Sequence, residues 1–326
     1  MLSLIVCKFQ IIISLLYSGR KGEYMRLYTV LEEVEKVVKG QREVITAVFS
    51  AILADGHILL EGPTGVGKTT IALTFSRILG LSFKRIQFTS DLLPSDILGT
   101  FIYNFKTGEF SFKKGPIFSN LILVDEINRA SPKTQSALIE VMEERQVTVE
   151  GTTFPLEKPF LVIATQNPID YAGTFPLPVT QLDRFLIKVN VEYPAKEVEK
   201  EILKTSDPRK LLGELKEILN KDEVLELQRK VSTIAVDESI IDYISEIVTA
   251  TRKNNLIKEG LSTRASIHIL KCAKARALIH GRDYVIPEDV KSMFLYVAPH
   301  RIICDIPQCD TYIFLKEFIE TIPVPR

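Results

Sequence analysis

Tryptophan is absent from this 326-residue chain, and cysteine and histidine are scarce at four each. The cysteines (Cys7, Cys272, Cys304 and Cys309) show no paired framework. That excludes a disulfide-stapled secreted domain and fits a reducing cytosol, so the chain is expected to be cytoplasmic. Cys304 and Cys309 have no His or Cys partner at zinc spacing and read as structural. His57, His268, His280 and His300 are dispersed and form neither a ligand cluster nor a triad pattern. Net charge is missing as well, because 41 basic residues balance 41 acidic ones. A globally basic nucleic-acid binder is therefore not indicated. There is no internal repeat and no low-complexity segment.

A clean membrane span is also lacking. Leu2–Tyr17 is almost continuously apolar, but it is short and broken by Lys8 and Gln10. It lacks the charged start and small-residue cleavage site of a signal peptide. Arg20-Lys21-Gly22-Glu23-Tyr24 can be encoded by a purine-rich stretch that would serve as a ribosome-binding site ahead of Met25. Residues 1–24 therefore read as a misassigned extension, with translation starting at Met25. Mass spectrometry of the native N-terminus checks this, and a peptide from Leu2–Tyr17 would refute it.

What is present is ordinary globular composition, 46% hydrophobic and 25% charged, in a length that suggests about two domains. The most informative run is Gly62-Pro63-Thr64-Gly65-Val66-Gly67-Lys68-Thr69, followed by Thr70. It fits G-x-x-x-x-G-K-[ST], the loop that wraps nucleoside triphosphate phosphates. An apolar strand, Ile58–Leu60, leads in, and a helix beginning near Thr70 leads out. Glycines let successive backbone N–H groups turn toward an anion, and the helix N-terminus adds attraction. Lys68 is placed to reach the β- and γ-phosphates of ATP, and Thr69 to offer its hydroxyl to Mg²⁺.

Strands are predicted at Ile58–Glu61, Phe83–Phe88, Leu121–Val124, Phe160–Thr165 and Leu186–Val191, alternating with helical stretches. Continuous apolar strands of this kind imply a mostly parallel sheet covered on both faces, an α/β core. Two helices, Leu27–Val38 and Arg42–Ala54, precede it. After Pro194 the chain reads as helices at Lys196–Thr205, Leu211–Leu219, Lys221–Thr233, Glu238–Asn254, Ser262–His280 and Pro287–Val297. Two hairpins interrupt the alternation, one over Thr100–Lys114 turning at Thr107-Gly108, the other over Gln146–Leu156 turning at Glu150-Gly151.

Leu121–Val124 ends in Asp125-Glu126. At the C-terminal edge of a parallel sheet, Asp125 would sit beside the phosphate loop and hold Mg²⁺, and Glu126 would activate the attacking water. Asn167, after the next core strand, would reach the same edge and hold that water, although Asn before Pro also favours a turn. Arg184 and Arg264 are of the type that neutralises a transferring phosphoryl group. The residues alone do not say which arginine acts within a subunit and which on its neighbour.

Several runs resemble the MoxR branch of AAA+ ATPases: Gly62–Thr70, Asp125–Ala130, Lys133–Leu138, Met142–Val147, Ala164–Pro168, Pro176–Pro178 and Gln181–Phe185. The likeness extends from about Leu27 to Val297. It implies an AAA+ P-loop core over residues 25–194 with a parallel sheet flanked by helices, and an all-helical lid over residues 195–326. It implies Asn167 as sensor 1, Arg184 as the arginine finger and Arg264 as sensor 2, on a lid whose tilt changes when Arg264 releases phosphate. Val38, Gly40 and Gln41 match the segment near adenine, and Arg129 belongs to the pattern. Thr263 replaces the usual Pro, but Ser262 can still cap the helix.

The resemblance further implies a homo-oligomer, commonly a hexameric ring. It points to chaperone-like remodelling of client protein complexes, or cofactor and metal maturation, with a von Willebrand factor A domain partner. A nucleic-acid motor is a rival, but the Glu150-Gly151 hairpin carries little positive charge for phosphates. A nucleotide-dependent assembly switch is another. Membrane association is not indicated.

Overall fold

The computed structural model describes residues 21–106, 108–168, 173–204, 208–305 and 310–325. Residues 1–20, Cys309, Thr107 and Thr205 lie outside these, with the readings placed on them. Helix α1 (Lys21–Val37) and helix α2 (Arg42–Leu53) come first. α1 begins six residues ahead of the expected start, and the expected boundary after Tyr24 falls inside it. The chain then forms β1 (Ile58–Glu61), α3 (Lys68–Ile78) and β2 (Phe83–Gln87). A short α4 (Pro94–Leu98) enters the first hairpin, β3 (Gly99–Asn104) and β4 (Glu109–Lys114), followed by β5 (Leu121–Asp125).

Next come a 3-10 turn (Ile127–Arg129), α5 (Pro132–Glu144) and the second hairpin, β6 (Gln146–Val149) and β7 (Thr152–Pro155). Ser131 caps α5 by accepting from the Thr134 N–H, with Pro132 in the first turn. Glu150 and Gly151 turn the second hairpin with positive φ of 49° and 79°, as a type I′ turn requires. Then follow β8 (Leu161–Gln166), α6 (Val179–Leu182) and β9 (Ile187–Asn190).

The five core strands form one parallel sheet in the order β2-β5-β8-β1-β9. Alternation along the strands splits the apolar residues between two cores. Ile58, Leu60, Leu121, Leu123, Leu161 and Ile163 face α1–α3. Leu59, Ile122, Val124, Val162 and Ala164 face α5 and the hairpin side.

The C-terminal part carries α7 (Lys196–Lys204), α8 (Pro208–Glu214), α9 (Lys221–Thr233), α10 (Glu238–Lys253), β10 (Ile257–Glu259), α11 (Thr263–Ile279), α12 (Pro287–Val297), β11 (Ile303–Cys304) and α13 (Thr311–Glu320). It is helical apart from an antiparallel ribbon, β10–β11, which the expectation of an all-helical lid did not include. The helix expected over Leu211–Leu219 ends early, because the Ile218 and Leu219 N–H groups donate to the Ile78 carbonyl of α3. As expected, Ser262 caps α11 by accepting from the Ala265 N–H at 3.3 Å. α11 packs on α2, and the apolar core on that face of the sheet runs without a break into the lid.

Candidate active site

Strand order explains the site. β8 lies between β5 and β1, so three consecutive strand ends carry Asp125-Glu126, Gln166-Asn167 and the phosphate loop. They meet at the C-terminal edge of the sheet, where α/β folds bind ligands. A cavity of about 310 Å³ opens there, lined by Thr64, Gly65, Gly67, Lys68, Thr69, Thr70, Asp125, Glu126, Thr165, Gln166 and Asn167. Arg85 and Gln87 complete its wall.

Gly65 and Gly67 hold φ of +88° and +93°, and nothing lies within 4 Å of where a Cβ would stand. The loop is thus an open cradle of backbone N–H groups leading into α3, suited to a triphosphate. Gly62, Pro63 and Val66 form its outer frame: a Cβ on Gly62 would meet the Val191 carbonyl oxygen at 2.2 Å. Val66 is buried in the core, and the Pro63 carbonyl accepts from Lys68 Nζ at 2.8 Å. Lys68 also donates to the Gly62 carbonyl at 2.5 Å. Burial lowers the Lys68 pKa, while Asp125, Glu126 and Glu61 oppose that shift.

Asp125 is 6% exposed and receives Arg85 Nε at 2.5 Å and the Thr165 hydroxyl at 3.3 Å. Thr165 also accepts from the Glu126 N–H at 3.0 Å, so one side chain braces both acids. Glu126 sits in the left-handed region, φ 57° and ψ 54°, an uncommon conformation that redirects its carboxylate over the cavity. Gln87 donates to that carboxylate at 3.0 Å and Arg129 approaches it at 2.9 Å. Thr69 and Asp125, which line the same cavity, are the oxygen donors suited to Mg²⁺.

A second cavity of about 590 Å³ starts beside the same loop: Asn190, in its wall, pairs with Glu61, the residue before Gly62. Gly40 and Gln41 line it with Tyr193 and Pro194. The Gln41 Oε1 is buried with no hydrogen-bond partner, an acceptor suited to an amino group such as that of adenine. Val38 is 6% exposed within the apolar core behind them.

Arg184 and Arg264 stand elsewhere. They line a third cavity of about 180 Å³ with Met142, Glu143, Asp183 and His268, apart from the phosphate loop. Arg264 pairs with Asp183 at 3.2 Å and Glu143 at 3.7 Å, and Arg184 pairs with Glu143. Arg264 is not among the residues that line the phosphate-loop cavity. α11 is packed on α2 and its N-terminus faces the Asp183 turn instead. Burial, and next the Arg264 charge, lower the Arg184 pKa. Three residues escaped the sequence reading: Arg85, Gln87 and Arg301. Arg301 is buried and donates to Asp183 Oδ1 at 2.7 Å.

Comparison with known proteins shows the family. Residues 57–187 match the ATPase family associated with various cellular activities (AAA), and residues 249–320 match the AAA lid domain. Chaperone MoxR1 of Mycobacterium tuberculosis is 40% identical over 321 residues, covering 94% of this chain and 85% of that protein. The chain belongs to the MoxR family of AAA+ ATPases. The uncharacterized protein YeaC of Bacillus subtilis is 48% identical, over 83% of this chain and 85% of its own length. A crystal structure titled as a putative ATPase from Cytophaga hutchinsonii superposes with a TM-score of 0.85 at 39% identity, over 100% of both chains. As a member of this family the chain binds and hydrolyses ATP. Among the described residues, no helix is long and apolar enough to cross a membrane.

Proposed function

We propose that this MoxR-family ATPase cleaves ATP where two subunits meet and uses the resulting motion to remodel protein complexes. The observation that carries the reading is the separation of parts. Phosphate loop, acid pair and Asn167 share one cavity, while Arg184 and Arg264 converge on another. A cavity with two arginines and no phosphate loop supports reading it as the half of an active site that one subunit lends to another. Its guanidiniums suit the phosphates held by a neighbour. In this reading Glu126 activates water, Asn167 orients it, and Thr69 with Asp125 holds Mg²⁺, which would shield the phosphate charge.

In this reading Arg184 acts as the arginine finger and Arg264, beside it in the same cavity, as sensor 2. Glu143, which touches both, keeps two like charges together until phosphate arrives. A ring, hexameric in this reading, follows from each subunit lending arginines to the next. The family resemblance supports chaperone-like work on a client complex, or cofactor and metal maturation, with a von Willebrand factor A domain protein as partner. Nucleic acid does not suit the Glu150-Gly151 hairpin.

Mixing two inactive variants tests this. Arg184→Ala alone is expected to bind ATP without turnover, and so is Glu126→Gln. Mixed rings should regain hydrolysis, because an intact Glu126 site then meets an intact Arg184. If the mixture stays inactive although both proteins co-assemble, the finger does not act across the interface.

A further inference from the structure

We propose that Arg85 is the resident counter-ion of the metal-binding carboxylate. It neutralises Asp125 before magnesium nucleotide enters, then passes to the terminal phosphate when Mg²⁺ takes that carboxylate. The inference rests on the reading of the phosphate-loop cavity as the Mg–ATP site.

Charge and position carry it. Asp125 is buried, and a buried carboxylate requires a partner cation. Lys68 places its ammonium on the Gly62 and Pro63 carbonyls, and Arg85 supplies the ion pair to Asp125 at 2.5 Å. In the β2–β5 register Gln87 stands opposite Asp125, and Arg85 is two residues back on the same strand face. Alternate residues of one strand thus address both acids: Arg85 holds Asp125 and Gln87 holds Glu126.

Mg²⁺ and a guanidinium on one carboxylate repel each other, so the metal weakens the Arg85 pair. The Arg85 side chain is 54% exposed, so its ion pair is weakly held and readily exchanged. Once displaced, it remains in the wall that Glu126 and Asn167 also line, where the last phosphate would lie. Its planar fork suits that group and finds no counterpart in a diphosphate. The same side chain therefore competes with the metal and distinguishes ATP from ADP.

The test is equilibrium binding of a fluorescent ADP, and of AMP-PNP by displacement, to the full chain. Each is measured with Mg²⁺ and with EDTA. For Arg85→Gln, the ratio of ADP Kd in EDTA to that in Mg²⁺ should rise about threefold, since the metal no longer evicts a cation. The preference for AMP-PNP over ADP in Mg²⁺ should fall about tenfold, the loss of one charge-assisted contact. Arg85→Lys keeps the charge and loses the fork. It should hold the first ratio near wild type and lose part of the second, and it carries the test if the Gln variant fails to fold. If either ratio in a folded Arg85→Gln protein equals that of wild type, the exchange is overturned. If wild type itself binds neither nucleotide, the fault lies with the nucleotide-site reading instead.

Discussion

One buried arginine fixes the place where the lid meets the site. Arg301 donates to the Asp183 carboxylate, to the Asp183, Phe185, Leu186 and Val297 carbonyls, and to His268 Nδ1. Its side chain is 3% exposed, and burial lowers its pKa against the pull of Asp183. Only a planar, permanently charged fork meets so many acceptors at once. Arg301→Lys should cost about 3 kcal/mol in urea unfolding, because carbonyls and a carboxylate lose their donors. It should also lower turnover more than nucleotide affinity, since Asp183 adjoins Arg184 and pairs with Arg264. Unchanged stability would show that Arg301 is not the fastener described. Its importance was hidden in the sequence because Asp183 and Arg301 lie 118 residues apart, and the Arg85–Asp125 pair spans 40. The phosphate loop, Asp125, Glu126 and Asn167 were legible because each sits at the end of an apolar strand, within one local pattern. Arg85 and Gln87 needed the strand register, though their alternation on a strand was a usable signal.

At the scale of elements, the two hairpins act as one. Phe112 of the first stacks on Phe154 of the second, with centroids 4.1 Å apart and planes 10° from parallel. Phe101 and Phe118 contact the same ring. The far end of the first hairpin is different: Phe105 is 91% exposed and Phe110 69%. Phe112→Ala should therefore speed amide exchange in β6–β7 as well as in β3–β4. A double-mutant cycle with Phe154→Ala should give a coupling of about 1 kcal/mol. Faster exchange in β3–β4 alone would mean that the hairpins move independently. Both hairpins and all five core strands were readable within a residue or so, since apolar runs bounded by turn residues mark them. The last helix was missed, although Asp310 caps it and Leu315, Phe318 and Ile319 form its buried stripe. The β10–β11 ribbon is only two to three residues long per strand, too short for any period to register.

Over the whole molecule, core and lid share one continuous apolar cluster, so they should unfold together, and acid should drive that unfolding through histidine. His57 joins β8 to α5: its Nε2–H donates to the Met142 carbonyl at 3.0 Å, and its Nδ1 accepts from the Val162 N–H at 3.0 Å. A proton on Nδ1 would face another N–H. Burial first, then the charge of Arg145, push its pKa down to about 3, against the bond to Met142. His300 ties the lid to the core through the Phe185 carbonyl at 3.1 Å, and burial with the Arg301 charge holds it well below its ordinary value. Both folded-state values lie under the unfolded value near 6.5, so the unfolded chain binds more protons across that interval. Stability is then fully present above about pH 7 and drains away as pH falls below 6.5, by about 1.4 kcal/mol per histidine at pH 5.5. Burial also lowers His268 to about 3 and His280 to about 4, the exposed His280 counting for less. Urea unfolding at pH 7.5 and 5.5 should therefore differ by about 5 kcal/mol for the four histidines, about 3 kcal/mol of it from His57 and His300. His57→Gln should be less stable at pH 7.5 but keep roughly three quarters of that pH slope. Equal stability of the unmutated protein at both pH values would mean that none of the four imidazoles is held neutral by the fold.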